Sequence, residues 1–275
     1  MNAWAVQSPC TTGCVGHRVP PVSARTALRR CTDFTALVAG TAAHRHTLTD
    51  PGALRLRARH LLAALGVRRE GGEGGLSVPG RTGTLIVANH ISWLDVIALL
   101  AREPATLIAK REVGGWPVVG TLARRAGTCF IDRDSFRRLP QHVALVRETL
   151  LSGRSVAVFP QATTWCSPSG GGFRRAMFQA ALDARAPVRP VSIGYRQHGM
   201  PSTVAAFVGD DGFLPSLHRV ARADGLTVRV DAHDVLHPGP DRDRRALALA
   251  AQEAVLCRVP ASALPAPPLS PALHA

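Results

Sequence analysis

The sequence predicts an α/β fold, a single largely parallel or mixed sheet flanked by helices. Two observations lead to it. Short apolar runs of strand length, 84–88 (TLIVA) and 155–159 (SVAVF), are continuous rather than alternating and rich in β-branched residues, as strands covered on both faces are. Between such runs lie segments of helical length and periodicity, and strands that alternate with helices build largely parallel sheets. The composition agrees: 46% hydrophobic and 19% charged residues over 275 positions suit one α/β domain with appendages and exclude wholesale disorder.

Taken in order, residues 1–50 mix Pro, Thr, Ser, Cys and Arg without sustained periodicity and read as a variable, poorly ordered leader with one short helix over 33–43. At Asp50-Pro51 an N-cap and a first-turn proline open a helix. In it Leu54, Ala58, Leu61, Leu62 and Leu65 recur on one face until Gly66, surrounded by Arg55, Arg57, Arg59, Arg68 and Arg69. A basic amphipathic helix of this kind lies either on an anionic membrane surface or on its own domain with the arginines in water. The Gly-rich stretch 70–83 reads as a linker. Strands are then expected at 84–88, 105–109, 128–131, 155–159 and 188–194, and helices at 94–101, 118–125, 140–151 and 175–184. Segments 203–208 and 226–230 are further strand candidates, and 242–257 a closing helix. The expected division is a leader over 1–50, a domain over 51–258 that starts with the amphipathic helix, and a loose Pro/Ala-rich tail over 259–275.

Thirty-three basic against 19 acidic residues give a net charge of +14, which favours an anionic partner or surface. Nucleic acid is not the expected one: aromatics are 5% with a single tyrosine, too few for a base-stacking platform, and no helix-turn-helix or related motif is present. The cysteines at 10, 14, 31, 129, 166 and 257 contain no CxxC and no zinc-type spacing, so they read as unbridged thiols of a reducing cytoplasm, Cys129 as a small core residue, and no metal is expected. No signal peptide is expected. The best apolar stretch near the start, 34–43, is far below the ~20 residues a membrane span needs. Membrane contact is therefore expected to be peripheral, on the inner face of the cell membrane.

The sharpest local signal is Ala88-Asn89-His90-Ile91-Ser92-Trp93-Leu94-Asp95, directly after an apolar strand. On one continuous helix His90 and Asp95 would be offset by ~140°. With His90 in the strand-to-helix turn, Asp95 on the first helical turn reaches back to its ring, fixes the tautomer and leaves the other nitrogen as a general base. Ligands of open α/β sheets bind beyond the carboxyl ends of strands, where this turn falls.

Three later segments follow in order: Gly127-Thr128-Cys129-Phe130-Ile131-Asp132-Arg133, Phe159-Pro160-Gln161-Ala162-Thr163-Thr164 and Val188-Arg189-Pro190-Val191. With the first block they resemble the four ordered blocks of the glycerophospholipid acyltransferase family, which includes the 1-acylglycerol-3-phosphate acyltransferases. NHxxxxD and GxxxIDR match in full, and VPVxPV matches apart from its opening position. The resemblance runs from about residue 84 to 193, and Lys110-Arg111-Glu112 and Trp116-Pro117-Val118-Val119-Gly120 are also family-like. The third block departs: where the family reads FPEG, then Thr and often Arg, this chain has Gln161 for the glutamate, Ala162 for the glycine and Thr164 for the arginine.

The resemblance implies an O-acyltransferase that needs no cofactor and moves an acyl group from acyl-CoA or acyl-carrier protein to a lysolipid hydroxyl. It implies His90 as base and Asp95 as its orienter, with Lys110, Arg111, Arg133 and Arg174 around the acceptor head together with Gln161 and Thr163 of the third block. For Lys110, Arg111 and Arg174 the plain alternative is a solvated cation. Gln161 keeps hydrogen-bonding capacity while losing charge, so it is expected to retune the acceptor site. No serine or cysteine has a local nucleophile signature, which favours direct attack by the acceptor hydroxyl; Ser92 and Cys166 are the candidates for an acyl-enzyme route. Asp132 is expected to cap or bridge locally, and His142, His218 and His233 to be structural or exposed. Two other functions stay open: a catalytically silent lipid-binding relative, motivated by Gln161 and Ala162, and a metallohydrolase on His90 and Asp95, which lacks further ligands at a recognisable spacing.

Overall fold

A computed structural model describes residues 6–72, 74–115, 119–131, 136–239 and 243–256. Chain order begins with two helices, α1 (Ala24–Ala43) and α2 (Pro51–Ala64), and the edge strand β1 (Arg68–Glu70). Then come β2 (Leu85–Ala88), α3 (Leu94–Arg102), β3 (Thr106–Lys110), α4 (Arg111–Gly114), α5 (Val119–Arg125), β4 (Cys129–Ile131), α6 (Leu139–Leu151) and β5 (Val156–Val158). The chain closes with α7 (Ala176–Ala184), β6 (Val188–Gln197), β7 (Met200–Pro201), α8 (Phe213–Arg222), β8 (Leu226–Ala232) and α9 (Arg244–Leu256). The expected tail 259–275 lies outside the described residues.

The strands form one mixed sheet in the order β1-β8-β6-β2-β5-β3-β4, with β7 paired to β6. β6, β2, β5, β3 and β4 are mutually parallel, whereas β8 runs antiparallel to β6 and carries β1 parallel to itself. Alternation along the central strands divides two cores. Ile86, Ala88, Ala157, Val191 and Ile193 face the layer of α1, α2, α3 and α8, and Leu85, Val87, Val156, Val158 and Val188 face α6, α7 and α9. Both faces are covered, which is why these strands read as unbroken apolar runs. Gly83 sets the entry to β2: a Cβ there would stand 2.1 Å from the Arg154 carbonyl oxygen.

The topology also opens the site. β2 and β5 are parallel neighbours, but β2 leaves through α3 over one face towards β3, and β5 leaves through α7 over the other towards β6. Connections that diverge in this way leave a crevice between the two carboxyl ends.

Two expectations need correction. The helix of the leader is longer than expected: α1 spans 20 residues, capped by Ser23, whose hydroxyl accepts from Thr26 N, and it buries Ala27, Phe34 and Thr41. Arg30 Nη1 donates to the Ala221 and Ala223 carbonyls at 3.0 and 2.8 Å, and Phe34 meets Trp93 edge-on at 5.9 Å. These contacts are tertiary, so no local periodicity announces them. Segment 203–208 is not a strand. Its carbonyls at Val204 and Ala206 are taken by the Arg219 guanidinium, that of Phe207 by the Thr164 hydroxyl, and Phe207 N donates to Ile91 O, so its hydrogen bonds are spent outside any ladder. Its place is taken by α8, whose Leu217, Val220 and Ala221 are buried.

For α2 the sequence leaves two placements open, and the structure packs the helix against its own domain. Asp50 caps it at 2.6 Å from Ala53 N, and Pro51 fills its first turn, as the sequence indicates. Its stripe, however, is used up inside the protein: Leu54, Ala58, Leu62 and Leu65 are all buried beneath α1 and α3. Most of that face is packed inside the protein, with Leu61 half-buried. Leu62→Ala should therefore cost about 2–5 kcal/mol of stability, the usual range for a buried leucine. Chemical denaturation measures this, and an unchanged midpoint would mean that α2 is a detachable helix.

Candidate active site

The site forms where the chain leaves β2. Asn89 clips this exit to the neighbouring strand: its side-chain nitrogen donates to Ile193 O at 2.9 Å and its oxygen accepts from Ile193 N at 2.7 Å. The turn 89–93 then feeds α3, and Asp95 on its first turn folds back. Asp95 Oδ2 accepts from His90 Nδ1 at 2.8 Å, from Ile91 N at 2.7 Å and from Ser92 N at 2.9 Å. Oδ1 accepts the Tyr195 hydroxyl at 2.6 Å. A carboxylate only accepts, so His90 carries its proton on Nδ1, and Nε2 is left with its lone pair. The imidazole stacks on Phe159 with centroids 4.0 Å apart and 15° between planes, and is 19% exposed, so one nitrogen is locked while the ring still reaches solvent.

Tyr195 is a participant that no sequence spacing reveals, because it lies a hundred positions from Asp95. Its only signal is that it is the sole tyrosine. Burial, then the neighbouring Asp95 charge, pushes its hydroxyl well above the ordinary tyrosine value. It therefore stays a phenol and a hydrogen-bond donor to the carboxylate.

Gln161 lies beside His90 in the site. It is 1% exposed; its oxygen accepts from His90 N at 2.7 Å, and its nitrogen donates to the Gly170 carbonyl and to Pro168 O at 3.3 Å. Both ends of the amide are engaged by backbone. It staples the loop 165–172 onto the His90 turn, helped by Trp165 N, which donates to His90 O at 2.9 Å. Gly170 and Gly171 lie flat on the Trp165 indole, where a Cβ would come within 2.4 and 2.5 Å of the ring. A glutamate at 161 accepts as well as glutamine does but has nothing to donate to Gly170.

The remaining candidates divide. β2, β5, β3 and β4 are parallel neighbours, so Lys110 and Arg111 at the end of β3 leave the sheet by the same edge as His90 and Gln161. Arg111 is exposed, whereas the Lys110 side chain, Asp132 and Arg133 lie outside the described positions. Thr163 is half-buried beside Gln161, and Arg174 is exposed, with its backbone N on Pro160 O at 2.9 Å. The acyl-enzyme candidates are otherwise employed. Ser92 is buried with its hydroxyl accepting from Leu94 N at 3.2 Å, and the Cys166 thiol is pushed up to about 12 by burial and then by Cys10 and Cys14, so it is no thiolate at neutral pH. His233 meets the Ser192 hydroxyl through Nε2 at 2.9 Å.

Two predictions follow from the third block. Gln161→Glu removes the donor to Gly170 and Pro168 and should lower stability by about 1–3 kcal/mol, the cost of an unsatisfied buried group. An unfolding midpoint equal to that of the wild type would contradict the staple. Ala162 holds φ at +61°, a left-handed conformation that costs an L-residue about 1–2 kcal/mol. Glycine removes that strain and loses about 0.5–1 kcal/mol in chain entropy. Ala162→Gly should thus raise stability by up to about 1 kcal/mol, and a lowered melting temperature would refute the strain.

A sequence model of the family described as Acyltransferase matches residues 73–194. The 1-acyl-sn-glycerol-3-phosphate acyltransferase of Neisseria meningitidis is 39% identical over 192 residues, which cover 69% of this chain and 73% of that protein. The lyso-ornithine lipid O-acyltransferase of Pseudomonas aeruginosa is 41% identical over 175 residues, 62% of this chain and 66% of that one. The crystal structure of the 1-acyl-sn-glycerophosphate acyltransferase PlsC from Thermotoga maritima has the same fold, with a TM-score of 0.61 at 19% identity over 84% of this chain and 92% of that one. Four ordered blocks, the turn they build and this extent of identity agree: the chain belongs to the glycerophospholipid acyltransferase family.

Proposed function

We propose that the chain moves a fatty acyl group from acyl-CoA or acyl-carrier protein to the hydroxyl of a lysolipid, on the inner face of the cell membrane. The observation that carries the mechanism is the 2.8 Å bond between His90 Nδ1 and the buried Asp95 carboxylate. Nε2 takes the proton of the acceptor hydroxyl as its oxygen attacks the thioester carbonyl, and Asp95 stabilises the imidazolium that forms. The tetrahedral intermediate collapses with cleavage of the C–S bond, and the departing thiolate recovers the proton from Nε2. No residue is acylated, which accords with the engaged Ser92 and the un-ionised Cys166.

The relatives are named for two acceptors, lysophosphatidic acid and lyso-ornithine lipid. Lys110, Arg111, Arg133 and Arg174 are assigned to the acceptor head, with Thr163 beside them. The net charge of +14 suits an anionic donor and an anionic lipid surface alike. Among the described residues no helix is long and apolar enough to cross a membrane, and the basic excess supports electrostatic contact with an anionic surface.

Purified protein incubated with labelled acyl-thioester and a panel of lysolipids, with products resolved by mass, tests the reading. His90→Ala should lower turnover by roughly 10²–10⁴ without loss of fold, the usual contribution of a positioned base. Asp95→Asn should impair it too, since an amide holds the wrong tautomer and cannot balance the imidazolium. Near-normal transfer by His90→Ala would overturn the mechanism. Lysolipid binding with no thioester consumed would instead identify a silent lipid-binding relative.

A further inference from the structure

Cys10 and Cys14 lie 156 and 152 positions before Cys166, yet the sulfurs of all three lie within 4.8 Å of one another. Cys10 Sγ is 3.3 Å from Cys166 Sγ, and Cys166 N donates to Cys10 Sγ at 3.4 Å. None of the three is bridged; Cys10 is buried and the other two are half-buried. A single helical turn, Thr12–Cys14, with Cys14 N on Thr11 O at 3.0 Å, brings Cys10 and Cys14 to the same side. No spacing in the sequence announces this meeting, because the third sulfur arrives with the loop that Gln161 and Trp165 hold against His90.

Sulfur donors suit zinc or monovalent copper and disfavour magnesium or calcium. Zn–S bonds of about 2.3 Å in a tetrahedron place sulfurs about 3.8 Å apart. One separation is 3.3 Å and all three lie within 4.8 Å, close to that value, so small side-chain movements bring the sulfurs onto one ion. Among the described residues no carboxylate or imidazole joins the cluster. A fourth position is then filled by water or another outside ligand, as in three-ligand zinc sites.

We propose that Cys10, Cys14 and Cys166 form a three-thiolate site for a soft cation, Zn²⁺, which fastens the N-terminal segment to the loop beside His90. Each coordinating sulfur gives up its proton, so one Zn²⁺ and three thiols yield a bound ion of net charge −1 and three released protons. The consequence is local. Cys14 and Cys166 help to wall a cavity of about 540 Å³ that Ile91, Ser192 and Tyr195 also line. An ion across the two segments would hold that wall closed.

The test uses the full chain, reduced, stripped of metal and titrated with Co²⁺, then with Zn²⁺ against a chromogenic chelator. One equivalent of Co²⁺ should produce a thiolate-to-metal charge-transfer band that Zn²⁺ displaces. Cys166→Ser and Cys14→Ser should each weaken Zn²⁺ binding at least tenfold, whereas Cys31→Ser, outside the cluster, should leave it unchanged. The proposal fails if natively folded wild type gives no charge-transfer band, if Cys166→Ser binds as wild type does, or if reduction of a Cys10–Cys166 disulfide yields protein that binds no ion. These readouts do not involve acyl transfer, so they succeed or fail apart from the proposed function.

Discussion

A carboxylate without access to water must be met by donors on every side, and burying one costs several kcal/mol where it is not. Asp95 is fully buried and receives four: an imidazole, two backbone amides of the turn and the Tyr195 hydroxyl. The amides define the shape of the turn, the imidazole sets the tautomer of His90, and the phenol ties α3 to β6. Since Asn89 clips the same turn to Ile193, the two strands that flank the reactive histidine are held in register from both ends of the motif. The first turn of α3 adds to this, because its unpaired amides favour an acidic group there.

The third block shows how a departure from a family pattern can leave the reactive pair untouched. Gln161 and Ala162 stand where the family pattern that the chain resembles reads glutamate and glycine, and the positions do different work. Ala162 keeps the left-handed backbone that a glycine would adopt without strain. Gln161 has both ends of its amide on backbone, at His90 N and at the loop carbonyls of Pro168 and Gly170. The exchange of a carboxylate for an amide is therefore matched by a loop that presents carbonyls to it. Phe173 N on Gln252 Oε1 at 2.7 Å and Arg174 N on Pro160 O fasten the far end of the same loop, so the chain around 161–174 is held by side chains and turns rather than by a ladder.

The N-terminal helices turn surface chemistry into packing. α1 and α2 close one face of the sheet, and their arginines serve helix ends: Arg30 donates to the carbonyls of Ala221 in the last turn of α8 and of Ala223 just after it, and Arg59 donates to Ala101 O at the end of α3 at 3.1 Å. Guanidinium groups that satisfy helix C-termini complement both the orphan carbonyls and the dipole. Part of the basic excess is thus structural.

The α/β class, the central strands and the helices between them were legible in the sequence because their cause is local: strands covered on both faces must be apolar throughout, and the helices must carry a stripe. The His90 and Asp95 pairing was legible for the same reason, since both partners lie within one strand-to-helix turn. Tertiary structure alone decided the rest. Tyr195 reaches Asp95 across a hundred positions, Arg219 dissolves the strand suggested by 203–208, α1 gains its stability from Arg30 and Phe34, and three cysteines without a spacing signature share one corner. Each depends on a partner distant in the chain, and a hydrogen bond or contact between distant residues leaves no period in the sequence of either.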